Sequence, residues 1–202
     1  AEAADDATLT GENPVDRLQR LGALLPGSIL AHCVHLDPER IARVQDAGAW
    51  ITHQPRSNQN NGVGYAPVAA FGPHTALGTD GIGADMFAEL QAGWFRAQEA
   101  GVDWTPNRWL GALTAGSQLA GEALGVQLGR ISKGAAADLV VLDMPVGPPL
   151  SSDTVAATFL FRLAATQVKH VMIGGDWRLW HRRVAGLDGG QLQSRADVAA
   201  RA

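Results

Sequence analysis

The first half of the sequence predicts an α/β fold built on a parallel sheet. Between residues 28 and 100, short apolar runs alternate with longer amphipathic stretches, which is the pattern of strands joined by crossover helices. The chain has 202 residues, and 46% of them are hydrophobic. This is enough apolar material for one sizeable core.

The first unit of the pattern is a strand followed by a helix. Residues 28–36 (SILAHCVHL) are typical of a buried strand. Asp37 predicts a helix N-cap, because its carboxylate can accept from the first free backbone N–H groups. The helix is expected over Pro38–Asp46, with Ile41 and Val44 on one buried face.

The second unit begins after Gly48, which is expected to end that helix. Residues 49–53 (AWITH) predict the second strand. Residues 56–65 (RSNQNNGVGY) are polar and rich in Asn and Gly, a composition that favours a loop. This loop is expected at the sheet edge where the strands end.

The third unit is a strand over residues 75–81 (TALGTDG) that runs into a Gly-rich turn. An amphipathic helix is expected over residues 85–100, with Met86, Leu90 and Phe95 facing inward.

The second half of the chain has a different pattern of shorter elements. They are two consecutive helices over 105–113 and 114–124 closed by Gly125, a turn at 129–134, a strand at 137–143, a helix at 154–166, a hairpin of 168–173 with 176–180, and a weak helix or tail after Gly186.

Composition excludes several classes of function. The 16 basic and 20 acidic residues give a net charge of −4, so no basic surface for nucleic acid or an anionic membrane is expected. Cys33 is the single cysteine and cannot form an intrachain disulfide. No apolar run is long enough for a membrane span, and a cytoplasmic protein is expected.

Three consecutive strands end in groups that can bind a metal or transfer a proton: His32, His53 and Asp80. Strand ends on one side of a parallel sheet are where α/β proteins hold their ligands. Each residue also has a structural interpretation, since a lone His is more often structural and Asp80 before Gly81 suits a turn. His32 and His35 are three positions apart and would face opposite sides of a regular strand.

Four motifs in order give the chain a family resemblance. They are AHCVHL at 31–36, THQPRSNQNNGVG at 52–64, LGTDG at 77–81 and GRISKGAAADLVVLD at 129–143. Together they resemble the amidohydrolase superfamily, in the cytosine deaminase and chlorohydrolase-like branch, closest to the SsnA-type aminohydrolases.

This resemblance implies the C-terminal part of a (β/α)8 TIM barrel, strands six to eight, plus part of a small β-sandwich domain. Residues 1–128 would belong to the barrel, 129–186 to the sandwich portion with a connecting helix, and 187–202 to a tail. The chain is therefore expected to be a fragment that is inactive alone and oligomeric or poorly soluble.

The resemblance also implies site residues around one divalent metal ion, Zn or Fe. Asp80 matches the eighth-strand Asp that contacts the metal and takes a proton from the attacking water. His32 matches the sixth-strand His that polarises the substrate, and Glu2 matches the Glu that passes a proton to the leaving amine. His53 would line the substrate pocket, and His35 would point into packing.

Arg56 and Asn58, in the polar stretch after the second strand, are expected to bind the substrate through their donors and acceptors. A His-x-His motif, which supplies further metal ligands in the superfamily, does not occur in these 202 residues. We therefore expect the missing N-terminal half of the barrel, or a partner subunit, to complete the site.

The resemblance implies a metal-dependent hydrolase of C–N bonds other than peptide bonds. The expected reaction is deamination of a heterocyclic or nucleobase-like amine, a small-molecule substrate, by a metal-bound hydroxide. The full-length protein is expected to be a homo-oligomer. The alternative is a non-catalytic half-barrel that functions by docking to a partner.

Overall fold

The computed structural model describes residues 11–144 and 146–200. In chain order its helices and strands are α1 (Pro14–Arg20), β1 (Ile29–Ala31), α2 (Pro38–Asp46), β2 (Trp50–His53), α3 (Pro55–Asn60), β3 (Thr75–Leu77), α4 (Met86–Glu99), α5 (Pro106–Leu124), β4 (Leu139–Leu142), α6 (Val155–Arg162), β5 (Val168–Ile173), β6 (Asp176–Trp180), β7 (Arg183–Val184) and α7 (Gly189–Ala199).

The first sheet is parallel, with its three strands in the order β1, β2, β3. Ala31 pairs with Thr52, and Thr52 pairs with Ala76, so the carboxyl ends of the strands lie side by side. A parallel sheet with helices between its strands confirms the predicted α/β class.

One hydrophobic core joins this sheet to its helices. Ile41 and Val44 of α2, Ile51 of β2, Leu90 of α4 and Trp109 of α5 are all fully buried in it. The predicted inner face of α2 is therefore correct. Burial of these large side chains fixes the strands against the helix layer and so fixes the positions of the strand ends.

Helix α2 has the predicted bounds and the predicted cap. The Asp37 carboxylate accepts from the Arg40 N–H at 2.8 Å. Gly48 follows the helix with a φ of 72°, a left-handed conformation that glycine adopts at little cost. Arg40 and Arg43 also pair with Asp16 of α1, which ties the two helices together.

The first strand is shorter than predicted, because only residues 29–31 of the range 28–36 are extended. His32 and Cys33 have φ angles of 64° and 52°, which turn the backbone out of the strand. The His32 N–H then donates to the Thr52 carbonyl at 2.8 Å and to Gln54 Oε1 at 3.0 Å. The argument that His32 and His35 face opposite sides of a strand therefore does not apply.

Two further predictions in the first half are corrected. The stretch 56–65 is not a loop throughout, because α3 occupies Pro55–Asn60. In α4, Leu90 is buried and Met86 is partly buried, whereas Phe95 is 59% exposed. Phe95 was predicted to face inward and instead faces solvent.

The predicted pair of helices over 105–124 is one continuous helix, α5, which ends at Gly125 with a φ of 66°. No Gly or Pro pair interrupts the sequence where the break was expected, so the helix propagates. Its N-cap is Thr105, which accepts from the Arg108 N–H.

The second sheet is antiparallel, in the order β4, β5, β6, β7. The predicted hairpin is confirmed, since β5 and β6 pair across Gly174 and Gly175. Both glycines have positive φ angles, as a tight hairpin turn requires. After Gly186 the chain forms α7, which has no buried residue.

No helix in residues 11–144 and 146–200 combines the length and the apolar character needed to cross a membrane.

Candidate active site

Helix α3 lies at the carboxyl end of the parallel sheet and organises the residues there. It follows β2 directly, and Pro55 at its first position has the φ angle that a helix start needs. Gln54, just before it, donates from Nε2 to Thr52 Oγ1 at 2.8 Å while its Oε1 accepts from the His32 N–H. The start of α3 is thereby joined to the end of β1.

His32 is held in one orientation by α3. Its Nδ1 lies 2.8 Å from Oδ1 of Asn58, a side chain that is 4% exposed. An amide oxygen can only accept, so His32 carries its proton on Nδ1. Nε2, the other ring nitrogen, carries a lone pair whenever the ring is neutral, and that is the form in which histidine binds metals and accepts protons.

Asp80 faces that lone pair. Its Oδ2 lies 3.8 Å from His32 Nε2 and accepts a hydrogen bond from Ser57 Oγ at 2.5 Å. The Ser57 hydrogen bond, followed by one from the Gly81 N–H and by the nearby His32, holds the pKa of Asp80 below its ordinary value. The carboxylate is therefore ionised at neutral pH.

His32 and Asp80 both have unusual backbone conformations. Asp80 has a φ of 52° and His32 a φ of 64°, in the left-handed region that non-glycine residues rarely adopt. Such conformations cluster at functional sites, where surrounding contacts hold them in place. Here those contacts come from Ser57, Asn58 and Gln54.

A cleft opens beside this pair. Its apolar wall includes Val15, Leu30 and Leu36, and His32 and Asp80 contribute polar groups to the same cleft. The side chains of His32 and Asp80 are 39% and 42% exposed, so a small molecule in the cleft could reach them. A mostly apolar cleft with a few convergent polar groups is typical of ligand sites.

His35 also lines this cleft, and it is exposed. It was expected to point into packing, and that expectation is wrong because the chain has already left the strand at His32.

Arg56 is directed away from the cleft, toward the turn that follows β3. Its guanidinium donates to the Ile82 carbonyl at 3.1 Å and the Gly83 carbonyl at 3.3 Å. It also lies 3.5 Å from Glu89 Oε2, while the Arg56 N–H donates to Glu89 Oε1 at 2.8 Å. Glu89 is fully buried, and burial raises the pKa of its carboxyl.

His53 is not brought to the cleft. It is 2% exposed and packs against Phe71 and Trp109, with ring centroids 5.8 and 6.3 Å away. Burial, together with the nearby His32, lowers the pKa of His53 to about 4. The ring is therefore neutral at physiological pH. Glu2, the expected proton shuttle, lies outside the described residues.

Ser57 and Gln54 were not predicted from the sequence as site residues. Pro55, directly after a strand, could have pointed to Ser57, because a proline there predicts the start of a helix. In such a helix residues 57 and 58 point to different neighbours. Gln54 carried no comparable signal, since its role depends on where β1 ends.

The donors present fit one part of a metal site. Asp80 offers a carboxylate and His32 a bare ring nitrogen on the same side. Within residues 11–144 and 146–200, however, no group of three or more His, Cys, Asp or Glu side chains is placed to bind one metal ion. Since a catalytic metal needs about three protein ligands, other donors would have to complete the site.

Comparison with known proteins agrees with the family that the motifs suggested. Residues 1–178 match the model of the amidohydrolase family. The chain therefore belongs to the amidohydrolase family.

Its relatives include two deaminases. The 5-methylthioadenosine/S-adenosylhomocysteine deaminase of Natronomonas pharaonis is 30% identical over 198 residues, which is 93% of this chain and 45% of that protein. The 8-oxoguanine deaminase of Pseudomonas aeruginosa is 33% identical over 203 residues, which is 95% of this chain and 44% of that protein.

A solved structure is also similar. The crystal structure of an adenosine deaminase from Xanthomonas campestris with bound zinc superposes with a TM-score of 0.83 at 28% identity. The superposition covers 98% of this chain and 47% of that one. The chain thus spans a little under half the length of each of these three proteins.

Proposed function

We propose that this chain contributes the His32 and Asp80 part of the active site of a metal-dependent aminohydrolase. The observation that carries the proposal is the facing pair itself. His32 Nε2 and the Asp80 carboxylate lie 3.8 Å apart at the carboxyl end of a parallel sheet. Each is held by its own hydrogen bond from one short helix.

The architecture that we propose is a (β/α)8 barrel of which β1, β2 and β3 are strands six to eight. Residues 1–128 would form this barrel portion, 129–186 the sandwich portion and 187–202 the tail. The order of the parallel strands supports this assignment, because consecutive strands of such a barrel are neighbours. The preceding strands would supply the other metal ligands.

In the mechanism, Asp80 would hold a divalent metal, Zn or Fe, and take a proton. A divalent metal there would supply water acidic enough to attack at neutral pH. Because the pKa of Asp80 is low, the carboxylate is ionised and can accept the proton that this water loses. Ser57 keeps Oδ2 in place while it does so.

His32, when it carries a proton on Nε2, would donate a hydrogen bond from that atom to the substrate. Asn58 Oδ1 accepts from Nδ1 in both protonation states, so the ring need not reorient when it gains the proton. In this account Arg56 is a positioning residue that holds the turn after Asp80. Glu2 would pass a proton to the leaving amine.

For the substrate, we infer a small heterocyclic amine of the purine type. The relatives are named for 5-methylthioadenosine, S-adenosylhomocysteine and 8-oxoguanine, which all contain a purine ring. The apolar wall of the cleft beside polar His32 and Asp80 suits a flat ring with one reactive amine.

The test restores the missing donors. The chain is combined with an N-terminal amidohydrolase half that carries His-x-His, loaded with Zn²⁺ or Fe²⁺, and ammonia release from a purine panel is measured. We expect activity in the combined protein, loss of at least about 1000-fold of kcat in Asp80→Asn, and no change in Asp46→Asn, an exposed carboxylate elsewhere.

Activity in the Asp80→Asn variant equal to that of the unaltered chain would overturn the assignment. Stable association of the two halves with no turnover on any amine would instead support the non-catalytic half-barrel.

A further inference from the structure

Behind Asn58, on the side away from His32, there is a small cavity between β2, α3 and α4. It is lined by His53, Pro55, Asn58, Gln59, Tyr65 and Arg96, together with Gly64. The cavity has room for about one water molecule. It shares one lining residue, Asn58, with the cleft that His32 and Asp80 line.

Several residues that line the cavity have buried polar atoms without a hydrogen-bond partner. Both ring nitrogens of His53, Asn58 Nδ2, Tyr65 Oη and Arg96 Nε are buried and without a hydrogen bond. All five atoms belong to residues that line this cavity, and the described residues contain eleven such atoms. Buried polar atoms are nearly always hydrogen-bonded, often to an internal water.

Asn58 connects this cavity to the reactive pair. Its Oδ1 accepts from His32 Nδ1, whereas its Nδ2 belongs to the group without partners. If the amide were reversed, Nδ2 would face His32 Nδ1, and His32 would have to carry its proton on Nε2 instead. The partner of Nδ2 therefore helps to set which nitrogen of His32 carries the proton, against the Asp80 carboxylate that lies 3.8 Å from Nε2.

We propose that this cavity binds an ordered water molecule, and that His53 and Tyr65 are positioning residues which act through this water and Asn58 to set the tautomer of His32. The water accepts a hydrogen bond from Asn58 Nδ2 and donates one to a ring nitrogen of neutral His53. Tyr65 Oη supplies a further partner, so the water makes the usual three bonds. The consequence for catalysis rests on the proposed function, but the hydrogen-bond network does not.

The tautomer of His32 is measured from its ring ¹⁵N chemical shifts at pH 7.5. The unaltered chain is expected to carry the proton on Nδ1. Tyr65→Phe removes one hydroxyl, and His53→Leu removes both ring nitrogens. We expect each to raise the Nε2–H tautomer by up to about tenfold, as the loss of one hydrogen bond would.

Two further variants separate this role from simple packing. His53→Gln keeps a polar group in the cavity and should restore most of the original tautomer. Thr75→Val removes another buried hydroxyl without a partner, but Thr75 does not line this cavity, so His32 should not respond.

An unchanged tautomer in folded Tyr65→Phe and His53→Leu chains would overturn the proposal. So would an equal response to Thr75→Val, or a crystal structure in which the cavity is dry. None of these readouts needs metal, substrate or turnover. If the tautomer responds and the combined protein is inactive, the network stands and the proposed function fails. If the combined protein is active and the tautomer does not respond, the network is rejected and the proposed function stands.

Discussion

The two sheets of this protein differ in how deeply their strands are buried. All three residues of β3 and three of the four residues of β2 are buried, whereas no residue of the edge strand β1 is. In β4 to β7, by contrast, His170 is the only buried residue. Side chains such as Val140 and Ile173 are more than half exposed there.

This difference in burial bears on where the chain can hold a chemical group in place. At the end of the buried sheet, His32 and Asp80 keep unusual backbone angles because packed neighbours hold them. The second sheet carries a cluster of rings, His170, Trp177, Trp180 and His181, but three of these four residues are not buried. Burial of β3 therefore accounts for the position of Asp80, whereas His32 follows the unburied β1 and is held by hydrogen bonds to Thr52, Gln54 and Asn58.

The largest expected effect is the loss of stability when a cavity is made in the core around the parallel sheet. Ile41→Ala is expected to lower the free energy of unfolding by about 2–5 kcal/mol, since Ile41 is fully buried. Val140→Ala in β4 should cost less than about 1 kcal/mol, because Val140 is 58% exposed. Urea denaturation of both variants checks the difference, and equal losses would break the comparison.

The pH dependence of stability gives a comparable effect. The pKa of His53 falls from 6.5 to about 4 in the folded chain because the ring is buried. Between these two pH values the unfolded chain binds a proton that the folded chain does not, so stability is lost as pH falls. The loss due to His53 should reach about 3 kcal/mol at pH 4.

His53→Gln removes this contribution, and the difference between the two chains isolates it from the carboxylates. His170→Gln makes the same measurement for the second sheet, because burial also lowers the pKa of His170. Denaturation curves at pH 7 and pH 4.5 are sufficient. Identical pH profiles for the His53→Gln and unaltered chains would contradict the burial of His53.

A smaller effect comes from two helix caps. Asp37 caps α2, which packs into the core, and Asp188 caps α7, which has no buried residue. Asp37→Ala should lower the free energy of unfolding by about 1 kcal/mol. Asp188→Ala should leave the unfolding midpoint unchanged and only reduce helical circular dichroism, because α7 can fray without disturbing the core.

The sequence predicted elements that local signals define. Helix α2 was predicted with its bounds and cap, since Asp37, Pro38 and Gly48 mark its ends. The end of β1 could not be predicted, because the apolar run continues past it. It is set by a hydrogen bond from His32 to Gln54, 22 positions away.

The site was predictable only in part, where local sequence signals define it. His32 and Asp80 follow the first and third strands of one parallel sheet, so their meeting at one edge of it could be expected. Arg56 and Asn58 were both expected to bind substrate, and of the two Asn58 lines the cleft while Arg56 does not. The reason is that α3 turns successive side chains about 100° apart. Arg56 therefore reaches the turn after β3, Ser57 reaches Asp80 and Asn58 reaches His32.

Helix α3 holds both His32 and Asp80 in place, and the turnover of a Ser57→Ala variant is the sharpest test of the role proposed for them. In the combined, metal-loaded protein, kcat for a purine amine is compared between Ser57→Ala and Asn60→Ala. Asn60 lies on the same helix but is exposed, and its Nδ2 donates to Asn61 and not to Ser57 or Asp80 among the described residues. We predict that Ser57→Ala lowers kcat by about 10- to 100-fold, the usual effect of losing a group that orients a metal ligand, and that Asn60→Ala leaves it unchanged. Equal kcat in the two variants would contradict the account.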